Sequence, residues 1–233
     1  MKHHILFGSK RIDFTLQFMQ RKSLTIKVHP DGSIEVLAPA DADKTKVLEK
    51  LKLKAPWMLK QIKQFNTYKP GTKPRKFLNG ETHLYLGRQY RLKIIPDSTN
   101  VIKAYRGHLF IHAVNISKDA LEMQLQQWYK EKATVVFHEM LTEVLPKFKK
   151  YKIDTPVLSI RTMSKRWGSC TPGGKIILNT DLIKAPKGSI EYVVIHELCH
   201  LVHHNHTKPF FNLQNRMLPD WKKWKDRLEY SLA

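Results

Sequence analysis

The stretch VVIHELCHLVHHNH, residues 193–206, holds five of the chain's twelve histidines in fourteen residues. His196 and His200 bracket Glu197 as His-Glu-x-x-His. On a helix, residues four apart lie on one face a turn apart, so both imidazoles can reach one cation. Glu197 sits about 100° further round, beside such a cation and within reach of a water on it. In that arrangement a zinc ion lowers the water's pKa and a carboxylate takes its proton. The surrounding residues predict an amphipathic helix, with Ile190, Val193, Val194, Ile195, Leu198, Leu201 and Val202 on a broad apolar arc. The histidine edge should then face a cleft.

Reach decides which trailing histidine completes the set. His204 lies eight residues after His196, about 12 Å along a continuous helix. A zinc–nitrogen bond is about 2.0–2.1 Å, so neither His204 nor His203 can converge with His196 from one straight helix. His206 can, if the helix ends first. Asn205 suits a left-handed helix terminus, and Thr207-Lys208-Pro209 looks like the start of the next helix. The expected ligands are His196, His200 and His206 around one Zn2+ ion, with Glu197 as the base. His203 and His204 are expected to be solvated or to stand behind the ligands.

Upstream, alternating apolar residues predict strands over 5–37 and 77–116, and helical spacing predicts helices from about 43 and over 118–150. Ile12, Phe14, Leu16 and Phe18 share one strand face, and Pro30-Asp31-Gly32 reads as a hairpin turn. Pro56 should kink or split the first helix. Tyr68–Lys76 reads as a basic linker. The stretches around residues 157–170 and 175–183 look like two strands joined by the turn at 171–174, and Pro219 should break the terminal helix. No internal repeat is visible. The fold class expected is α+β: a β-rich N-terminal region, 1–116, followed by a zincin-like metallohydrolase core, 117–233, built round the His-Glu-x-x-His helix.

The segments RWGSC, KIILNTDLIKAP, IEYVVIHELCHLVHHNHTKPFF and LPDW resemble the YgjP-like metallopeptidase family of bacterial proteins. DGSIEVLAP, APWMLKQI and LGRQYRLKI extend that likeness through the N-terminal half. Over His-Glu-x-x-His-x5-His the chain is also similar to the SprT and WLM zinc proteases, which act on DNA-bound proteins. The resemblance implies a zincin-type fold with His196, His200 and His206 on zinc and Glu197 as base, in agreement with the reach argument.

Other signals are weaker. Arg166, Trp167 and Ser169 precede the helix in SKRWGSC and are candidates for binding substrate at a strand edge, where a peptide can pair by its backbone. The alternative roles are a packing anchor for Trp167 and an ion pair for Arg166. Asn179 is a candidate for orienting a loop at the cleft. Cys170 and Cys199 are expected to be small buried groups, and Trp128, Trp221 and Trp224 to pack in the core.

A formal net charge of +21, from 41 Lys and Arg against 20 Asp and Glu, favours contact with polyanions: nucleic acid, nucleotides or acidic protein surfaces. No run of eighteen apolar residues predicts a membrane span. Two cysteines give no disulfide framework, and the apolar stretch at residues 5–7 is too short for a secretory core, so a cytoplasmic location is expected. The function expected is a zinc-dependent hydrolase, foremost a metallopeptidase acting on protein or peptide. Two alternatives keep the metal: hydrolysis of nucleotides or other phosphate compounds, and a non-enzymatic nucleic-acid-binding protein with structural zinc. The second fits poorly, since structural sites are usually closed by a fourth Cys or His.

Overall fold

The computed structural model describes residues 2–8, 10–29, 32–67, 75–164 and 166–232 of the chain. They form two compact units, Met1–Gly71 and Thr72–Ala233. The expected basic linker lies mostly at 68–74, outside the described residues.

The first unit is a four-stranded sheet and one helix. Its strands are β1 (Lys2–Phe7), β2 (Lys10–Met19), β3 (Thr25–Val28) and β4 (Ile34–Pro39), in the order β1-β2-β4-β3. The central pair β2–β4 is parallel, and the outer pairs are antiparallel. Ile12, Phe14 and Leu16 fill one face as the alternation predicts, but Phe18 falls past the covered part of the sheet and is 44% exposed. The expected hairpin is present, with Val28 opposite Ile34, although Pro30 and Asp31 of its turn lie outside the described residues. Helix α1 (Lys44–Thr67) covers the sheet with Val47, Leu51, Ala55 and Met58. It runs through Pro56 as one element rather than splitting there.

The second unit opens with the same plan. Strands β5 (Thr82–Tyr85), β6 (Arg88–Pro96), β7 (Val101–Tyr105) and β8 (His108–Ala113) take the order β5-β6-β8-β7, again with a parallel central pair. Helix α2 (Lys118–Val144) follows, as α1 follows β4. Gly32, Ile34, Val36 and Ala38 correspond to Gly107, Leu109, Ile111 and Ala113. Both glycines have φ near +80°, at 84° and 75°, and the six apolar residues are all buried. The chain therefore contains a repeated ββββα module, contrary to the expectation of no repeat. Identity at so few positions does not stand out against ordinary strand alternation.

The helix expected over 118–150 ends at Val144 and tightens into a 3-10 turn over Leu145–Tyr151, where Pro146 cannot donate a backbone hydrogen bond. A three-stranded sheet comes next, from β9 (Leu158–Arg161), β10 (Gly168–Cys170) and β11 (Ile176–Asn179) in the order β10-β11-β9. What the sequence suggests as one strand around 157–170 is thus two, and they do not pair with each other. The strand expected over 175–183 stops at Asn179 and gives way to a 3-10 turn at Thr180–Lys184. The remaining α-helices are α3 (Lys187–Val202), α4 (Lys208–Met217) and α5 (Trp221–Leu232), the last two separated around Pro219 as expected.

One hydrophobic core serves this whole unit. Leu92, Leu109 and Ile111 of the sheet share it with Leu121, Leu125 and Phe137 of α2 and with Ile190, Val194 and Leu198 of α3. The Tyr129 hydroxyl donates to the Leu84 carbonyl at 2.7 Å. The β-rich stretch is accordingly divided between the two units, and the compact boundary falls after Gly71 rather than after residue 116. Trp128 is buried and Trp221 and Trp224 pack partly buried against the core, the structural roles expected of them.

Candidate metal centre

Helix α3 is more deeply enclosed than an amphipathic helix on a sheet would be. Helices α2, α4 and α5 and strand β10 all pack on it. Gly188 permits the close approach of α5, since a Cβ there would meet the Trp224 ring at 2.5 Å. His196, Glu197 and His200 lie where this buried helix reaches a cavity of about 600 Å³, which His204, His206, Arg166 and the strand β10 also line.

The helix ends at Val202, three residues before Asn205, and His203 caps it with extended backbone. The chain turns back through residues 203–207 and enters α4. Nitrogens of His196, His200 and His206 come to lie within 4.8 Å of one another. Nε2 of His196 and Nε2 of His206 are 3.0 Å apart. In a tetrahedral zinc site, bonds of about 2.0–2.1 Å set ligand nitrogens about 3.3 Å apart, so this trio fits a single small cation. Burial holds the His196 ring down to about 4, against the opposing effect of its bond to Gln214, and burial lowers His200 as well. These are neutral imidazoles, the form that ligates metals.

The second nitrogen of each α3 histidine is engaged. Nδ1 of His196 donates to Oε1 of Gln214 at 2.8 Å, and Nδ1 of His200 donates to the His204 carbonyl at 3.1 Å. Both bonds leave Nε2 bare and aimed by its tautomer. His204 thus contributes through its backbone, while His203 is half-buried at the helix end and does not line the cavity. Phe210 closes the site from beneath, fully buried, with its ring centroid 4.6–5.1 Å from all three imidazoles.

Glu197 is 5% exposed and lines the same cavity. Burial pushes its carboxyl up to about 7, opposed by the nearby Arg166 charge and by the Cys170 backbone N–H that bonds to it. Strand β10 is pressed against this carboxyl. A Cβ on Gly168 would stand 2.5 Å from Oε1 and 2.9 Å from Cδ, closer than real Cβ contacts come, so any larger residue there must displace the glutamate side chain.

Arg166 is exposed at the cavity wall, and its Nη1 donates to the Ser169 hydroxyl at 3.3 Å. Trp167 is half-buried against the core and does not line the cavity. Asn179, 3% exposed, donates from Nδ2 to the carbonyls of Met163 and Arg166 at 2.7 and 3.1 Å, which ties the loop before β10 to β11. Cys199 is fully buried, as expected. Cys170 is only half-buried and faces the cavity.

Sequence reasoning missed Gln214 and Gly168. Gln214 was detectable in principle, as a polar residue on the stripe formed by Phe210, Leu213 and Met217 of α4. Gly168 was not, because its constraint comes from a helix nearly thirty residues away in sequence.

A model of the YgjP-like, metallopeptidase domain matches residues 22–231. The chain belongs to that family. It is a metal-dependent hydrolase of the metallopeptidase kind. No curated protein matches the chain. Among solved structures it is similar to the metallopeptidase zymogen of Pyrococcus abyssi abylysin, at 21% identity and a TM-score of 0.38 over 41% of this chain and 94% of that one. It is also similar to the zymogen of Methanocaldococcus jannaschii jannalysin, at 16% identity and a TM-score of 0.37 over 42% of this chain and 90% of that one. No helix among the described residues is long and apolar enough to cross a membrane.

Proposed function

We propose that this member of the family hydrolyses peptide bonds with one Zn2+ ion held by His196, His200 and His206 and with Glu197 as general base. The observation that carries the reading is the convergence of three imidazoles beside a buried carboxyl group in one cavity. When bound, zinc supplies Lewis acidity to a water and to the substrate carbonyl. Glu197 takes the water's proton on a carboxylate oxygen as the oxygen attacks the carbonyl carbon. The same carboxyl then returns the proton to the leaving amine as the C–N bond breaks. The N–H of Cys170 and the backbone at Gly168 hold the carboxylate in place, and Gln214 and the His204 carbonyl fix the ligand rings.

Arg166 and Ser169 are assigned to substrate at the cavity wall, with Trp167 anchoring their strand from the core. Strand β10 pairs only with β11 among the described strands, so its other edge can accept an extended peptide. The +21 charge supports a further class of contact, with nucleic acid or nucleotides, which screening by salt would weaken. The two free thiols fit a reducing, cytoplasmic setting.

The test is Glu197→Gln in zinc-loaded protein, assayed on unfolded protein and on nucleoside triphosphates. Cleavage of the protein should fall by about two to four orders of magnitude with zinc still stoichiometric, because the base is lost and the ligands are not. Full turnover by the variant would remove Glu197 from the chemistry. Hydrolysis of triphosphate alone, abolished by the same change, would move the reaction from carbonyl to phosphorus.

A further inference from the structure

The first unit carries a groove of about 940 Å³ between the edge strand β3 and helix α1. Leu24 and Ile26 of the β3 side and Val47 of α1 line it, and one stripe of α1 forms its far wall with Lys46, Lys50, Leu53, Lys54 and Trp57. Leu53 is 81% exposed and Trp57 42%, which is unusual for large apolar side chains that stand together one turn apart on a helix. Lys22 stands on the strand side. Among the described residues none of these four lysines pairs with a carboxylate. The acidic residues of the groove, Asp41 and Asp43, lie at the start of α1, where Asp43 is occupied in accepting the Thr45 N–H.

The wall opposite the helix is a strand with a free side. β3 pairs only with β4, so the outward backbone groups of residues 25–28 have no strand partner among the described residues. Lysine on an edge strand ordinarily guards it against pairing. Here the edge lysine, Lys27, is bound to Glu35 at 2.8 Å, and it points to the sheet face opposite Ile26. The free lysines of α1 instead stand across the groove, where they attract rather than block.

We infer that this groove binds an extended acidic peptide segment, which adds a strand to β3 and sets one or two large apolar side chains on Leu53 and Trp57. Three features select that ligand together. The open strand edge asks for a backbone with amide donors and acceptors. The apolar lining asks for aliphatic or aromatic side chains, and the unpaired lysines ask for carboxylates. A single-stranded nucleic acid would meet the lysines and stack on Trp57, but it would leave the strand edge unpaired and most of the apolar wall uncovered.

The inference is independent of the metal centre and is tested by binding alone. The probe is a labelled peptide of about ten residues alternating Glu with Leu and Phe, added to the full chain at about 150 mM salt. Anisotropy should show saturable binding, and amide exchange should slow within residues 24–28. The Lys46→Glu, Lys50→Glu, Lys54→Glu variant should bind about tenfold more weakly or worse. A blue shift in tryptophan emission should be present in the parent protein and absent from Trp57→Phe. The same peptide with alternate backbone nitrogens methylated should lose binding on the strand-pairing side. Equal binding of the methylated peptide, or unchanged exchange at 24–28, would overturn the added strand. Affinity for oligothymidylate that depends on the same lysines and Trp57, with no peptide binding, would reassign the groove to nucleic acid.

Discussion

At the scale of single residues, the site separates histidines that look alike in sequence. His203, His204 and His206 crowd into four positions, yet only His206 brings a ring nitrogen to His196 and His200. His204 supplies a carbonyl, which every residue type has. His206→Ala should therefore lose zinc as severely as His200→Ala, by more than the roughly 10–100-fold that removing a group behind a ligand causes. His203→Ala and His204→Ala should stay fully loaded. Metal analysis after dialysis against a weak chelator reads this directly, and depletion in His204→Ala with His206→Ala intact would reverse the assignment. A second residue-scale prediction concerns His83, which is 3% exposed on β5. Burial lowers its ring to about 4, more than the Glu81 carboxylate at 3.4 Å raises it. Above the unfolded value of about 6.5 the ring is neutral folded or unfolded. Between about 6.5 and 4 only the unfolded chain takes up the proton, so stability falls as pH falls through that window and then levels off. His83→Phe, set beside Phe77, should flatten this slope. Thermal midpoints across the window that fall equally in both proteins would rule His83 out as a source.

At the scale of elements, the placement of Glu197 depends on one contact between strand and helix. β10 is three residues long, and Gly168 in it faces the carboxyl of Glu197 on α3. Gly168→Ala should push that carboxylate out of place. The expected result is a fall in turnover approaching that of Glu197→Gln with zinc retained, and a loss of stability of about 1–3 kcal/mol from overpacking. An active Gly168→Ala protein would mean that β10 moves aside freely. Helix length matters in the same way. Because α3 stops at Val202, the chain has room to reverse and bring His206 back. A single further turn of helix would carry it about 5.4 Å onward instead.

At the scale of the whole molecule, the same ββββα module appears once in each compact unit, and that of the second unit shares its core with the helices of the candidate metal centre. Leu92, Leu109 and Ile111 are fully buried against that shared core, and the Leu86 and Gly87 amides donate to the carbonyls of Ile183 and Lys184. A fragment beginning at residue 72 should fold and unfold cooperatively. One beginning at 117 should not, since it exposes the apolar face of α2 that the sheet covers. Circular dichroism through a thermal transition distinguishes them, and cooperative unfolding of the shorter fragment would restore the boundary at residue 116.

What the sequence determined by itself was side-chain placement that local geometry enforces. Spacing of four on a helix aligns His196 with His200 whatever surrounds them, and the reach of a metal–nitrogen bond excludes their neighbours on the same helix. Alternation located the strands of both modules, with Phe18 the exception because burial depends on where a covering helix ends. Tertiary structure decided everything that rests on contacts distant in the chain. Gln214 holds His196 from eighteen residues away, Gly168 makes room for Glu197 from twenty-nine, and the sheet at 82–113 belongs with the core of α2 and α3. Periodicity reports which face of an element is apolar. It does not report which element will cover that face, because the hydrophobic effect rewards burial without regard to the partner.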